Sequence, residues 1–126
     1  MRALLAAFAL TTASLASAET PPVASRYADL AGEWSVDLRV ALTDPSYSKA
    51  MVLKIAADRS ITGSFYDSEI LAGRAGTAQE RQCVAFRTTD GQGMYHSSAC
   101  LTDGKMVGQT WAEGRNFVLP WTATRK

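Results

Sequence analysis

The feature that most constrains the fold of this chain is the stretch Cys83–Cys100, which holds both of its cysteines. Its centre is a turn signal, because Gly91-Gln92 suits a two-residue type II′ loop. If the flanking Asp90 and Gly93 face each other, counting outward places the two cysteines directly opposite each other. They then occupy a non-hydrogen-bonded site, where Cα atoms lie about 4.5 Å apart, within the range that a disulfide spans. The turn alone therefore predicts a hairpin closed by a cross-strand disulfide between Cys83 and Cys100.

The same counting extends to the end of the chain. Asp103-Gly104 is a type I′ turn signal that places Ser97 opposite Thr110, and a turn around Gly114-Arg115 places Thr110 opposite Leu119. In this register the four strands share one apolar face, and that face is predicted to be the core. It carries Val84, Phe86, Tyr95, Ala99, Leu101, Met106, Phe117, Leu119, Trp121 and Ala123. The opposite face carries the cysteines, Arg87, His96, Ser98, Gln109, Trp111 and Thr122.

The first half of the domain also shows strand patterns. Trp34, Val36, Leu38, Val40 and Leu42 alternate with other residues, and this period of two predicts a half-buried first strand that ends before Asp44. A second strand over 51–55 and a third over 61–65 are predicted to pair through a three-residue loop, with Leu53 opposite Phe65 and Ala57 opposite Ile61. A two-residue loop would pair Ile55 with Thr62 and put the apolar residues of the two strands on opposite faces. It is rejected because a slip of one residue inverts every side chain. A weak fourth strand falls in 67–75, and 73–82 is predicted to be a long loop.

About eight short strands in roughly a hundred residues, with tight turns and no long helix, predict an all-β fold. The favoured arrangement is an eight-stranded antiparallel up-and-down meander that closes into a small barrel, with one cross-strand disulfide. Closure would also remove exposed strand edges. A sandwich of two sheets is the alternative.

The first residues predict export. Arg2, the apolar run Leu4–Leu10 and the small residues Ala16-Ser17-Ala18 form a secretory signal peptide over 1–18, too short for a transmembrane helix. Residues 19–31 are then a mobile arm with a possible helical turn over Arg26–Leu30, and 32–126 form a single domain. We expect the protein in the periplasm or outside the cell, where a disulfide is stable. No cysteine near the cleavage site offers a lipid anchor.

Charge and residue inventory argue against several classes. Loss of Arg2 with the signal peptide leaves 12 basic and 12 acidic residues, with no basic run, so nucleic acid and anionic membrane are poor partners. His96 is the only histidine, and Ser97 points to the opposite face, so no triad is formed. One histidine and two oxidised cysteines make no zinc site. We therefore expect no metal, no cofactor and no enzymatic activity.

A family resemblance rests on two short stretches. Leu30-Ala31-Gly32-Glu33-Trp34 before the first strand and Ile61–Tyr66 in the third resemble the calycin superfamily of small β-barrels. Thr62-Gly63-Ser64-Phe65 is similar to a strand of avidin-like proteins. The Pro-containing arm and short turn before Gly32-Glu33-Trp34 are similar to exported bacterial inhibitors of serralysin-type metalloproteases. The resemblance implies a small barrel and designates no particular ligand.

Two candidate sites follow from the predicted faces. Hydroxyls and tryptophans on the inner face suggest a ligand pocket, because such pockets are apolar with a few convergent polar groups. This ligand set is Trp34, Thr88, Tyr95, Ser97, Thr110 and Trp121. The alternative is a filled core in which Ser97 and Thr110 satisfy each other. On the outer face, the row Arg87, His96 and Trp111 is a candidate interaction surface; alternatively, Arg87 simply stacks on the indole.

Two functions are consistent with these sites. The first is an exported, non-enzymatic binding protein that holds a small, partly apolar ligand in or at the mouth of the barrel. The second is a protein-interaction module, such as an exported protease inhibitor, that acts through the arm 19–27 or through the face of Trp111.

Overall fold

A computed structural model describes residues 9–12 and 27–126 of the chain. Residues 9–12 have no regular structure, and the rest of the predicted signal peptide and residues 19–26 of the predicted arm lie outside the described residues. The fold is all-β, with eight strands of six to nine residues and one two-residue strand. They are β1 (Gly32–Asp37), β2 (Ser48–Ile55), β3 (Ser60–Phe65), β4 (Ser68–Glu69), β5 (Leu71–Ala78), β6 (Arg81–Thr89), β7 (Met94–Thr102), β8 (Lys105–Ala112) and β9 (Phe117–Arg125).

The eight longer strands form a closed, antiparallel up-and-down barrel. Each pairs with its neighbours along the chain, and β1 also pairs with β9, from Trp34 opposite Arg125 to Asp37 opposite Thr122. The short β4 pairs with β3. Because the first and last strands pair, the sheet has no seam left open between them, and the predicted barrel rather than a sandwich is the observed fold.

The registers predicted for the last four strands are confirmed. Cys83 lies opposite Cys100 with a Cα–Cα distance of 4.0 Å, and the two form a disulfide. Ser97 lies opposite Thr110, which in turn lies opposite Leu119. Both tight turns have the backbone that the sequence requires, since Gly91, Asp103 and Gly104 all have positive φ. A disulfide of this kind is typical of exported proteins.

The first strand is shorter than predicted, because it ends at Asp37 rather than Leu42. The carboxylate of Asp37 accepts hydrogen bonds from the backbone N–H and the guanidinium of Arg39, and that guanidinium also donates to the carbonyl of Leu42. These bonds turn the backbone out of the ladder. Leu38 stays buried, whereas Val40 and Leu42 are 87% and 83% exposed on the loop before β2.

The pairing predicted for β2 and β3 is wrong by two positions. The N–H of Ala56 donates to the carbonyl of Ser60 at 2.9 Å, so the three-residue loop between them is 57–59. Ile55 therefore lies opposite Ile61 and Leu53 opposite Gly63. Arg59 adopts a left-handed backbone with φ of 72°, and Asp58 caps the backbone N–H of Ser60 at 2.9 Å. The error leaves each residue on its predicted face, because side chains alternate with a period of two.

The long loop predicted over 73–82 does not exist. Strand β5 continues to Ala78 and joins β6 through Gln79 and Glu80, which have φ of 50° and 61°. Positive φ at both central residues is the type I′ geometry that suits a tight hairpin. Asn-Gly or Asp-Gly usually signals this turn, and neither occurs here.

One end of the barrel is closed by the chain that precedes β1. Tyr27 to Leu30 form a turn, with the N–H of Leu30 donating to the carbonyl of Tyr27 at 3.0 Å. Trp34 donates from Nε1 to the carbonyl of Leu30 at 2.9 Å, and the guanidinium of Arg125 lies 4.6 Å from the centre of the Trp34 ring. Because Tyr27 and Leu30 are buried, this part of the predicted arm packs on the barrel.

Candidate functional site: a cavity at the open end of the barrel

The other end of the barrel holds a cavity of about 450 Å³. Four chain connections surround it, because alternate hairpin turns of an up-and-down meander lie at the same end of the barrel. Its walls are mainly aromatic and aliphatic, with hydroxyls inside and charges at the rim. The lining residues are Leu38, Tyr47, Phe65, Tyr66, Asp67, Ser68, Thr88, Asp90, Tyr95, Thr110, Arg115, Phe117 and Leu119.

The strand registers place the inner side chains of β6–β9 in rows across the barrel wall. The row nearest the opening is Thr88, Tyr95, Ala112 and Phe117. The next is Phe86, Ser97, Thr110 and Leu119. The third is Val84, Ala99, Gly108 and Trp121. Tyr95 is half-buried and Phe117 is 43% exposed, so these two residues of the predicted core face line the cavity instead.

Trp121 and a hydroxyl pair form the floor of the cavity. Nε1 of Trp121 donates to Oγ1 of Thr110 at 2.9 Å, and Oγ of Ser97 lies 2.8 Å from the same oxygen. Phe65 packs on Trp121 with ring centres 5.7 Å apart and on Phe86 at 5.9 Å in an edge-to-face arrangement. The interior is therefore filled below this layer and open above it.

Gly108 allows the Trp121 ring to lie this close to β8. A Cβ atom at position 108 would lie 2.8 Å from Cη2 of Trp121 and 2.6 Å from the Cβ of Ala99. Real Cβ contacts are longer than this, so any side chain here would displace the indole from its position below Thr110. The glycine thus sets the depth of the cavity floor.

Thr88 supplies an unpaired hydroxyl to the cavity wall. The residue is only 5% exposed, and it lines the cavity. Within residues 27–126 its hydroxyl makes no hydrogen bond, although solvent in the cavity can reach it. A ligand that displaced this solvent without accepting a hydrogen bond would leave the hydroxyl unpaired at a cost in free energy, so the site favours a ligand that carries an acceptor.

At the rim, Asp90 holds Tyr95 and Arg115. Its carboxylate accepts from the Tyr95 hydroxyl at 2.7 Å, from the backbone N–H groups of Gln92 and Gly93, and pairs with Arg115 at 3.5 Å. The Tyr95 hydroxyl, then the Gln92 N–H, hold the pKa of Asp90 below its usual value. The same hydrogen bond raises the pKa of Tyr95. At neutral pH the Tyr95 hydroxyl is therefore protonated, and it already donates its hydrogen to Asp90.

The opposite side of the rim is made of two tyrosines and a lysine. The hydroxyls of Tyr47 and Tyr66 are in hydrogen-bond contact, which raises the pKa of Tyr47. Nζ of Lys49 lies 4.8 Å from the centre of the Tyr66 ring and 5.8 Å from that of Tyr47, in the range of a cation–π contact. Both tyrosine rings remain partly exposed at the opening.

The structure brings together part of the predicted ligand set. Thr88, Tyr95 and Thr110 line the cavity, and Ser97 and Trp121 lie directly beneath it. Trp34 lies at the closed end and does not line the cavity. Sequence reasoning missed the residues that lie beyond strand ends: Leu38, Tyr47, Tyr66, Asp67, Asp90 and Arg115. Leu38 carried a signal, since it continues the inner alternation of Trp34 and Val36.

The predicted outer row is also present. Arg87, His96 and Trp111 lie side by side across β6, β7 and β8, and Trp111 is 37% exposed. A carboxylate oxygen of Glu113, in the turn between β8 and β9, lies 3.3 Å from Nε2 of His96. The alternative arrangement, with Arg87 stacked on the indole, is not among the cation–π contacts of residues 27–126.

Among the described residues, no group of three histidine, cysteine or acidic side chains could hold a metal ion. None of the helices there is long and apolar enough to cross a bilayer. Comparison with known proteins gives no further guide, because no family model, curated protein or solved structure matches this chain significantly.

Proposed function

We propose that this protein is an exported, non-enzymatic binding protein that holds a small, partly apolar ligand in the open end of its barrel. The observation that carries the proposal is the cavity itself, about 450 Å³ in volume and lined by apolar walls and a few hydroxyls. Ligand sites are commonly concave, mostly apolar and of this size.

A cavity-filling substitution tests the proposal. Leu119 is half-buried and lines the cavity, so Leu119→Trp should place an indole where a ligand would lie. With the neutral fluorophore N-phenyl-1-naphthylamine as probe, we expect the wild type to enhance its emission and Leu119→Trp to lose most of that enhancement. Val107→Trp, at an exposed position on the outer face of the same sheet, is the matched control and should bind like the wild type. Equal binding by all three proteins would contradict the proposal.

A second candidate function is binding of an acidic protein segment on the outer face. The outer row of Arg87, His96 and Trp111 lines a shallow groove together with the neighbouring row of Ala85, Ser98 and Gln109. The groove also contains Arg74, and no acidic residue lines it.

Charge decides what this groove can accept. An acidic partner complements the two arginines, whereas a second copy of the chain would bring the same positive groups together. We expect a labelled peptide of alternating Glu and Val to bind, measured by fluorescence anisotropy, and its Lys-Val counterpart to bind far less. Arg87→Glu should weaken binding at least tenfold, and Lys105→Glu, on the exposed turn at the closed end, should not. Equal affinity for both peptides, or self-association at the same concentrations, would exclude this function.

A further inference from the structure

We infer that the cavity selects neutral ligands that carry a hydrogen-bond acceptor of the carbonyl type, and that the hydroxyl of Thr88 binds this group. This rests on the proposed function of the cavity and specifies the class of ligand.

The first argument counts hydrogens at the floor. Trp121, Ser97 and Thr110 have three donor hydrogens between them, one on the indole and one on each hydroxyl. The cluster contains two hydrogen bonds, both to Oγ1 of Thr110. One hydroxyl hydrogen is therefore left over. If Ser97 donates to Thr110, both lone pairs of Thr110 Oγ1 are occupied and the hydroxyl hydrogen of Thr110 is free. Thr110 lines the cavity, so that free hydrogen would face a ligand.

The second argument is the hydroxyl of Thr88. It belongs to a residue 5% exposed and has no partner within residues 27–126. The registers place Thr88 in the inner row next to that of Thr110, one step nearer the opening. Thr88 and Thr110 lie on β6 and β8 with β7 between them, so about 10 Å of sheet separates them and one carbonyl oxygen can bond to only one of the two. The hydroxyl of Thr88, which has no partner, is the one that we assign to it.

The third argument concerns charge. The charged residues of the cavity are Asp67, Asp90 and Arg115, all from turns at the rim, and Lys49 lies there over the tyrosine rings. The floor consists of Trp121, Phe65 and hydroxyls, with no cation. A carboxylate pushed to this depth would lose its hydration without gaining a counter-charge, which is strongly unfavourable. A hydrocarbon end would leave the Thr88 hydroxyl unpaired. A neutral acceptor avoids both costs.

The test uses three probes that share one aromatic body: 2-acetylnaphthalene, 2-ethylnaphthalene and 2-naphthoate. Binding is measured by titration with amide and methyl chemical shifts, which also locate the probe. We expect the ketone to bind roughly fivefold to tenfold more tightly than the hydrocarbon, the worth of one hydrogen bond, and more tightly than the carboxylate.

Substitution of Thr88 then separates the hydroxyl from the shape of the site. Thr88→Val should weaken the ketone by the same factor and leave 2-ethylnaphthalene unchanged, whereas Thr88→Ser should retain the preference. Thr122→Val, on the exposed outer face, is the control for the substitution itself. If hydrocarbon and ketone bind equally in the cavity, or Thr88→Val leaves the ketone unaffected, the inference is wrong while the cavity remains a binding site. If no probe binds there, the proposed function fails with it.

Discussion

Replacement of Trp34 by alanine is expected to destabilise the protein by roughly 3–5 kcal/mol, the range for truncation of a large buried aromatic residue. Trp34 is 1% exposed. Its removal would leave a void at the closed end, would leave the carbonyl of Leu30 without its indole donor, and would remove the ring below Arg125. For a domain of this size such a loss is a large share of the whole stability.

Urea unfolding followed by circular dichroism measures this effect. Trp111→Ala is the matched control, because the same side chain is removed from an exposed strand position, and we expect its midpoint to shift far less. If Trp34→Ala unfolds at the same urea concentration as Trp111→Ala, the closed end does not contribute the stability assigned to it.

Gly63→Ala is expected to cost about 3 kcal/mol or more, because two independent restraints meet at that residue. Gly63 has φ of +131°, a backbone that other residues rarely adopt, and an added Cβ would lie 1.9 Å from the carbonyl oxygen of Val52. Strand β3 would have to separate from β2 at this pair. Its neighbour Phe65 would then move away from Trp121, so the cavity floor should be disturbed as well.

Gly76→Ala provides the control for this prediction. Gly76 lies in β5, and a Cβ there would meet no atom within 4 Å, so we expect a change of less than about 0.5 kcal/mol. The comparison uses the same urea titration, with the m-value checked for constancy. Equal stability of the two alanine variants would show that β3 can relax around the new methyl group.

Some parts of the fold were predictable because local residues encode them. The turn residues Gly91-Gln92 and Asp103-Gly104 define the hairpins on either side of β7. Each turn fixes which residues of its two strands are paired, and in these registers the apolar residues of the strands share one face. The disulfide follows from the first of these turns. Four strands, their two faces and the outer row that contains Trp111 could therefore be predicted from the sequence.

The remaining errors share a physical cause. Arg59, Gln79 and Glu80 adopt positive φ without being the residues that usually signal it. The loop before β3 was therefore shifted, and the turn before β6 was missed. The end of β1 depends on a side chain, since the carboxylate of Asp37 takes the N–H of Arg39, and alternation alone continues past that point.

The cavity could be predicted only in part for a different reason. Thr88, Tyr95 and Thr110 were recognisable as hydroxyl-bearing residues of the inner face. Which end of the barrel is closed depends on contacts between distant parts of the chain, such as the packing of Arg125 on Trp34. The cavity lies at the other end. Tyr47, Tyr66 and Arg115 come from three different turns, and their convergence at the rim depends on closure of the barrel.

That closure has a consequence for how the chain folds. Every other pairing in the barrel joins strands that are close in sequence, whereas β1 and β9 come from opposite ends of the domain. Joining them carries the greatest entropy cost of any pairing, and contacts between residues far apart in sequence are slow to form. The meander is thus expected to form first and the β1–β9 ladder last. A complete cavity exists only after that final step, so the rate at which binding competence returns during refolding would report barrel closure directly.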